Sequence, residues 1–240
     1  MKYCKIGKCK VYNGDCFDLF KKMIIAGTKI DLIITDPPYL LDRINTGGSV
    51  NNKKGLNKSL KQLEADGLIH GVDVKKFAKY VSEVQDDINL FVWCSIKQVF
   101  EYLKVFVEDY GCKYTILNWH KPNALPTYSN KFLSDTEYCL YLHNGHGKCR
   151  PPNYESAKTY WIAPINQKDK KLYGHPTIKP LYMIEQLVKC CSKEGDLVFD
   201  PFLGSGTTGV ACRKLKRRFI GSEINVDYYK LCKKRIKNKE

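Results

Sequence analysis

The sequence predicts an α/β fold built on a mostly parallel sheet, and three observations carry that prediction. Short apolar runs bounded by turn residues alternate with segments whose apolar residues recur every three or four positions. Of the 240 residues 43% are apolar, ample for one core, and at roughly 100 to 200 residues per domain the length fits a single domain over 1–240. A glycine-rich turn follows an apolar strand and opens a helix-compatible run, as in sheets that bind ligands at strand ends.

Strands are expected at Cys9 to Tyr12, Ile30 to Thr35, Asn89 to Trp93, Tyr114 to Trp119, Tyr138 to His143, Leu197 to Asp200 and Phe219 to Glu223. Among the helices between them, one follows a Ser95 cap and carries Val99, Leu103, Phe106, Val107 and Tyr110. Another follows Pro180 at a first-turn position and carries Ile184, Leu187, Val188 and Cys191. A last helix, capped by Asn225, carries Tyr228, Leu231, Cys232 and Ile236.

Two stretches break this rhythm. Residues 40–72 contain Gly47-Gly48-Ser49, Lys53, Lys54 and Lys58 with little periodicity, the composition of a lid or binding loop. Residues 144–174 interleave Lys148, Arg150, Lys158, Lys168, Lys170 and Lys171 with aromatics, a mixture suited to phosphate contact and base stacking or to a solvated connector.

Forty basic against 25 acidic residues leave a net charge of +15, which favours a polyanionic partner, although only six of the forty are Arg and a Lys-rich compositional bias contributes. The eleven cysteines are irregularly spaced, contain no Cys-x-x-Cys and read as structural thiols, so no metal site is expected. No run approaches the ~18 apolar residues of a membrane span. The start lacks a secretory signal pattern, so the protein is expected in the cytoplasm.

The turn Asp200-Pro201-Phe202-Leu203-Gly204-Ser205-Gly206-Thr207-Thr208-Gly209 spells G-x-G-x-x-G between strand and helix. Glycines there let the backbone approach a ligand, and the helix amino terminus adds partial positive charge. Glu223 ends the next strand, where a carboxylate can accept from both hydroxyls of a ribose. A ribose-containing cofactor follows from this arrangement; a tight turn needing glycine for its own backbone is the alternative. A nicotinamide fingerprint normally opens the first βαβ unit, whereas only 31 residues follow Gly209, so the order here is permuted.

Asp36-Pro37-Pro38-Tyr39 follows the strand Ile30 to Thr35. Two prolines stiffen the turn and lack N–H donors, leaving the Asp36 carboxylate and the Pro37 carbonyl as fixed acceptors beside an aromatic ring. That set suits a planar amine.

With both turns in view, the sequence resembles the S-adenosylmethionine-dependent amino-group DNA methyltransferases in their permuted β-class order. The matching segments run in sequence over nearly the whole chain: Asn13-Gly14-Asp15-Cys16, Asp36-Pro37-Pro38-Tyr39, Phe91-Val92-Trp93-Cys94-Ser95 and Asn118-Trp119-His120-Lys121-Pro122-Asn123. Asp135-Thr136-Glu137-Tyr138, His175-Pro176-Thr177-Ile178-Lys179-Pro180 and the glycine-rich turn complete them. The resemblance implies a Rossmann-like methyltransferase fold, a seven-stranded mostly parallel sheet with one antiparallel strand and helices on both faces.

It also implies roles. Asp200, Phe202, Gly204, Gly206 and Thr207 would surround the methionine end of the cofactor, with His175, Thr177 and Lys179 nearby. Glu223 would hold the ribose, the Asp15 carboxylate the adenine amino group and the Cys16 N–H a ring nitrogen. In the catalytic turn Asp36-Pro37-Pro38-Tyr39, Asp36 and Pro37 would accept the two amine protons of a flipped base stacked on Tyr39. Asp at position 36 favours N6 of adenine, with N4 of cytosine or a non-catalytic DNA-binding role as alternatives. DNA contacts are expected from Lys53, Lys54, Lys58, Lys121, Asn123, Lys148 and Arg150. Family members often carry a long target-recognition insert before the equivalent of His175, where this chain has about a dozen residues. Sequence readout then falls to 40–72 and 144–174, or is loose. The resemblance also implies a homodimer and a cognate restriction endonuclease as partners.

Overall fold

The computed structural model describes residues 1–40, 71–124, 132–175 and 177–239. The loop expectation for 40–72, with Lys53, Lys54 and Lys58, lies almost wholly outside the described residues. The strands are β1 (Lys2–Ile6), β2 (Cys9–Asn13), β3 (Leu32–Thr35), β4 (Asn89–Cys94), β5 (Lys113–His120), β6 (Thr136–His143), β7 (Tyr160–Ile162), β8 (Leu197–Asp200) and β9 (Arg218–Glu223). They form one sheet in the order β1-β2-β9-β8-β3-β4-β6-β5-β7. All seven expected strands are present. β1 and β7 add an edge strand at each side, so nine strands are described rather than seven. β6 runs against β4 and β5, β1 runs against β2, and the other pairings are parallel.

The central strands β3, β4 and β8 are buried along their whole length, as strands covered on both faces must be. One face is covered by α1 (Cys16–Ile25), α2 (Val74–Val84) and α3 (Ile96–Leu103), which bring Leu19, Phe20, Phe77, Val81 and Tyr102 into one core cluster. The other is covered by α6 (Leu181–Cys191), α7 (Thr207–Lys214) and α8 (Val226–Asn238), through Met183, Leu187, Val210 and Ile236. Short helices α4 (Tyr154–Ala157) and α5 (Gln167–Tyr173) flank β7.

Local signals set these boundaries. Asn225 caps α8 by accepting from Asp227 N and Tyr228 N, Ser95 and Gln98 form a capping box on α3, and Pro180 immediately precedes α6. The helix expected through Tyr110 stops at Leu103 and continues as a wider π turn over Lys104–Asp109. Val105 and Phe106 within this wider turn are both buried against the core.

All eleven cysteines are unpaired and nine are buried, so they pack as small apolar side chains. Among the described residues no helix is long and apolar enough to cross a membrane.

Candidate active site

The parallel strands β2, β9, β8, β3 and β4 all end at one edge of the sheet, and the segments leaving them converge there. Asn13 pairs with Glu223, Asp200 with Gly221 and Thr35 with Val92. Gly14 N donates to the Glu223 carbonyl at 3.0 Å, which ties the start of the pocket to its far strand. The cavity holds about 1050 Å³ including its open mouth, and runs from Asp15 and Cys16 at one end to Asp36, Pro38 and Trp93 at the other.

The glycine-rich turn forms its floor. Gly206 takes φ +88° at the start of α7, and a Cβ there would lie 2.7 Å from that of Cys232. Gly204, at φ +52°, leaves room for His175, whose Nε2 would be 3.0 Å from an added Cβ. His175 in turn lies 4.3 Å, centroid to centroid, from Tyr228. The Glu223 carboxylate accepts from Gly204 N at 2.7 Å and from Asn225 N at 2.8 Å, so it faces the pocket in a fixed pose. Asp15 Oδ1 accepts from Phe17 N at 2.7 Å as the cap of α1, while the residue also lines the cavity. Asp200 Oδ1 accepts from Thr35 Oγ1 at 3.0 Å and Phe202 N at 3.1 Å, and burial pushes its carboxyl up to about 7.

At the opposite end Asp36 meets a group its own motif does not contain. Lys179 Nζ donates to Asp36 Oδ2 at 2.5 Å and to the Tyr39 hydroxyl at 3.3 Å, and lies 3.2 Å from Glu137 Oε2. Glu137 Oε1 accepts from Lys121 at 3.0 Å, and Tyr39 donates to Oε2 at 3.4 Å. Burial would depress the Lys179 ammonium, but Asp36 and Glu137 overcome that and raise it. Burial would likewise raise Glu137, yet Lys179 and Lys121 hold it down to about 2. For Asp36 burial prevails over Lys179 and the carboxyl is raised. Asp36 Oδ1 is buried and, among the described residues, accepts no hydrogen bond, while Tyr39 beside it helps hold the carboxyl down.

A deep pocket ending in an unengaged carboxylate oxygen, with an aromatic hydroxyl fixed beside it, is built to receive a donor such as an amine. Residues 30–234 match the family model described as "DNA methylase" for N6 and N4 methyltransferases. The chain belongs to this DNA methylase family.

The methylase is 30% identical to the type II methyltransferase M2.DpnII of Streptococcus pneumoniae, over 98% of this chain and 91% of that one. It is 31% identical to M2.LlaDCHI of Lactococcus lactis subsp. cremoris, over 93% and 87%. Among solved structures, the M1.HpyAVI-SAM complex superposes with a TM-score of 0.68 at 27% identity, covering 95% of this chain and 98% of that one. PvuII DNA methyltransferase, described as cytosine-N4-specific, superposes at 0.67 with 20% identity over 100% and 98%, a likeness of fold.

Several expected residues of the methylase sit elsewhere than their sequence neighbourhood implied. Lys179 does line the cavity, but its ammonium is bound to Asp36 and Glu137 rather than directed toward the glycine-rich turn. Lys121 is paired with Glu137 in the pocket wall, and Asn123 Oδ1 accepts from Ile165 N at 2.8 Å. The Lys121 ammonium is thereby committed inside the protein, whereas Asn123 is exposed at the surface with its side-chain oxygen engaged by the Ile165 N–H. Lys148 and Arg150 follow β6, which runs against its neighbours, so they emerge at the edge of the sheet opposite Asp36. There Asn144 Oδ1 accepts from Ile88 N, and Arg150 N donates to the Cys190 carbonyl at 2.6 Å. The 144–174 stretch is thus split by β7: residues up to 158 lie at the far edge, whereas α5, with Lys168, Lys170 and Lys171, follows the end of β7 on the pocket side.

Three further residues shape the site without having carried a role in the sequence: Trp93 in the lining of the pocket, and Glu137 and Arg235 behind it. Glu137 and Trp93 lay within matched segments, where only strand pairing reveals what they meet. Arg235, 1% exposed, reaches from α8 beneath the glycine-rich turn, donating to the Ser205 carbonyl at 2.8 Å, Ser205 Oγ at 2.9 Å and Thr207 Oγ1 at 3.2 Å. A lone Arg in a Lys-rich helix offers no local signal for that role.

Proposed function

We propose that this protein transfers a methyl group from S-adenosylmethionine to the exocyclic N6 of adenine in DNA. The observation that carries the reading is Asp36 Oδ1, a buried acceptor that takes no hydrogen bond from the described residues, at the end of the cavity that begins at Asp15 and Cys16. The cavity suits the cofactor: Glu223 is positioned for ribose hydroxyls, Asp15 and Cys16 for an adenine edge, and the α7 terminus with Gly204, Gly206, Thr207 and Thr177 for the methionine end. Bound there, the cofactor supplies an electrophilic methyl: the S–C bond breaks with its electron pair going to sulfur, as the amine lone pair forms the new N–C bond.

The residues of the chain do the rest. Asp36 and the Pro37 carbonyl accept the two amine protons, which favours the tetrahedral nitrogen of the transition state over the flat one of the free base. Asp36, with its raised pKa, then takes the proton that the methylated nitrogen must lose. Tyr39 offers a stacking face to a base extruded from the helix at a cost of a few kcal/mol. The whole chain acts as one domain, in the cytoplasm, with 40–72 and α5 contacting DNA. A homodimer and a cognate restriction endonuclease are the partners of this reading.

Incubation with tritiated S-adenosylmethionine and unmethylated genomic DNA, followed by nucleoside analysis, tests it. Label is expected in N6-methyladenine, and Asp36→Ala should abolish it while DNA binding persists. Label in N4-methylcytosine would replace the base assignment, and absence of label would overturn the reading.

A further inference from the structure

Glu137 belongs to a matched segment for which no role was assigned, yet its carboxylate shares Lys179 with Asp36 at the amine end of the pocket. It stands at the start of β6, across β4 from the end of β3, and its two oxygens gather Lys121, Lys179 and the Tyr39 hydroxyl. We propose that Glu137 is a positioning residue for methyl transfer: by drawing Lys121 and Lys179 toward itself it keeps Asp36 available as the amine acceptor and offsets the positive charge at the amine end of the pocket. The inference rests on the reading of Asp36 as the group that receives the target amine.

The geometry supports this in three steps. Lys179 donates to both carboxylates, so its ammonium is shared between them and Asp36 Oδ1 is left without a partner among the described residues. Without Glu137 the whole of that ammonium would fall to Asp36, competing with the incoming amine for its acceptors. The second step is charge: the carboxylates Asp36 and Glu137 stand against the ammoniums Lys121 and Lys179. Lys170 on α5 adds a third cation, whose pKa burial lowers and Glu137 partly restores. Loss of the Glu137 charge would therefore deepen the cationic excess beside the amine.

The third step concerns the reaction. Methyl transfer from a sulfonium to a neutral amine moves positive charge toward the nitrogen, and hence toward Asp36 and Lys179. An uncompensated ammonium there opposes the transition state more than the ground state, so the cost falls on the chemical step rather than on cofactor binding. Glu137 also anchors the Tyr39 hydroxyl, which fixes the ring beside Asp36.

The test compares Glu137→Gln, Lys121→Met and the double variant in the full chain. In cofactor-free protein, the Asp36 carboxyl followed by carbon NMR should titrate at lower pH in Glu137→Gln, because Lys179 then serves Asp36 alone. The single-turnover methylation rate of Glu137→Gln should fall about ten- to a hundredfold, with cofactor affinity held within about twofold. Adding Lys121→Met should restore part of that rate, since it removes one cation while Lys179 still serves Asp36 alone. An unchanged Asp36 titration with an unchanged rate would overturn the proposal. So would a rate loss that Lys121→Met does not recover and that comes with lost cofactor binding, the mark of a merely structural role. The identity of the base labelled by the parent protein judges the adenine assignment, whereas the Asp36 titration judges Glu137 even if the parent labels no DNA.

Discussion

Asp200 is 4% exposed, and burial raises its carboxyl from 3.8 to about 7 although Thr208, Thr35 and Phe202 N pull it back. Between those two values the folded protein holds a proton that the unfolded chain has released. Stability therefore declines as pH rises through that window and levels off above it, by about 1.4 kcal/mol per pH unit inside it. Asp200→Asn keeps an oxygen to accept from Thr35 and Phe202 and carries no charge at any pH. Urea unfolding should show the variant gaining on the parent between pH 5 and pH 8; an equal difference at both pH values would refute the raised carboxyl. Asp36 and Asp200 were both legible in sequence, because each sits in a stiff or glycine-rich turn directly after an apolar strand. Glu137 and Arg235 were not, because their partners come from segments remote in the chain and only strand pairing or helix packing reveals them.

The strand-turn-helix unit β8-α7 is held by contacts that leave no space at its glycines. Gly206→Ala would place a Cβ 2.7 Å from Cys232 Cβ at φ +88°, combining left-handed backbone strain of about 1–2 kcal/mol with overpacking of about 1–3 kcal/mol. A fall in the urea midpoint with a parallel loss of cofactor affinity is expected, and parental values for both would contradict the tight α7–α8 approach. The seven expected strands could be read because each is a run of apolar, largely β-branched or aromatic residues. β1 escaped because its side chains are largely exposed at a sheet edge, and β7 because three residues leave no periodicity to detect. The reversal of β6 had the largest consequence for the site. A local pattern gives no strand direction, so Lys148 and Arg150 looked equivalent to the lysines of α5 although the reversal sends them to opposite edges.

Across the molecule, a net charge of +15 provides attraction to DNA, and topology decides which cations use it. Removing Lys168 and Lys171 together should weaken DNA binding and reduce the slope of log affinity against log salt by about 1 per lost phosphate contact. Removing Lys148 and Arg150 together should leave both nearly unchanged. Equal effects from the two pairs would place DNA across both edges of the sheet and contradict binding over the Asp36 mouth.

The parallel pairing of β2 with β9 also constrains how the protein comes into being. Asn13 and Glu223, which meet through the Asn13 amide at 2.8 Å, are 210 residues apart in the chain. During synthesis the Asp15 end of the pocket must wait for a neighbour made 210 residues later, and closing so large a loop is slow. A ribosome-bound chain can thus form much of the central sheet while still unable to hold the cofactor. Methyl-donor capture then becomes a marker of completed folding, and the donor a stabiliser of the finished protein alone.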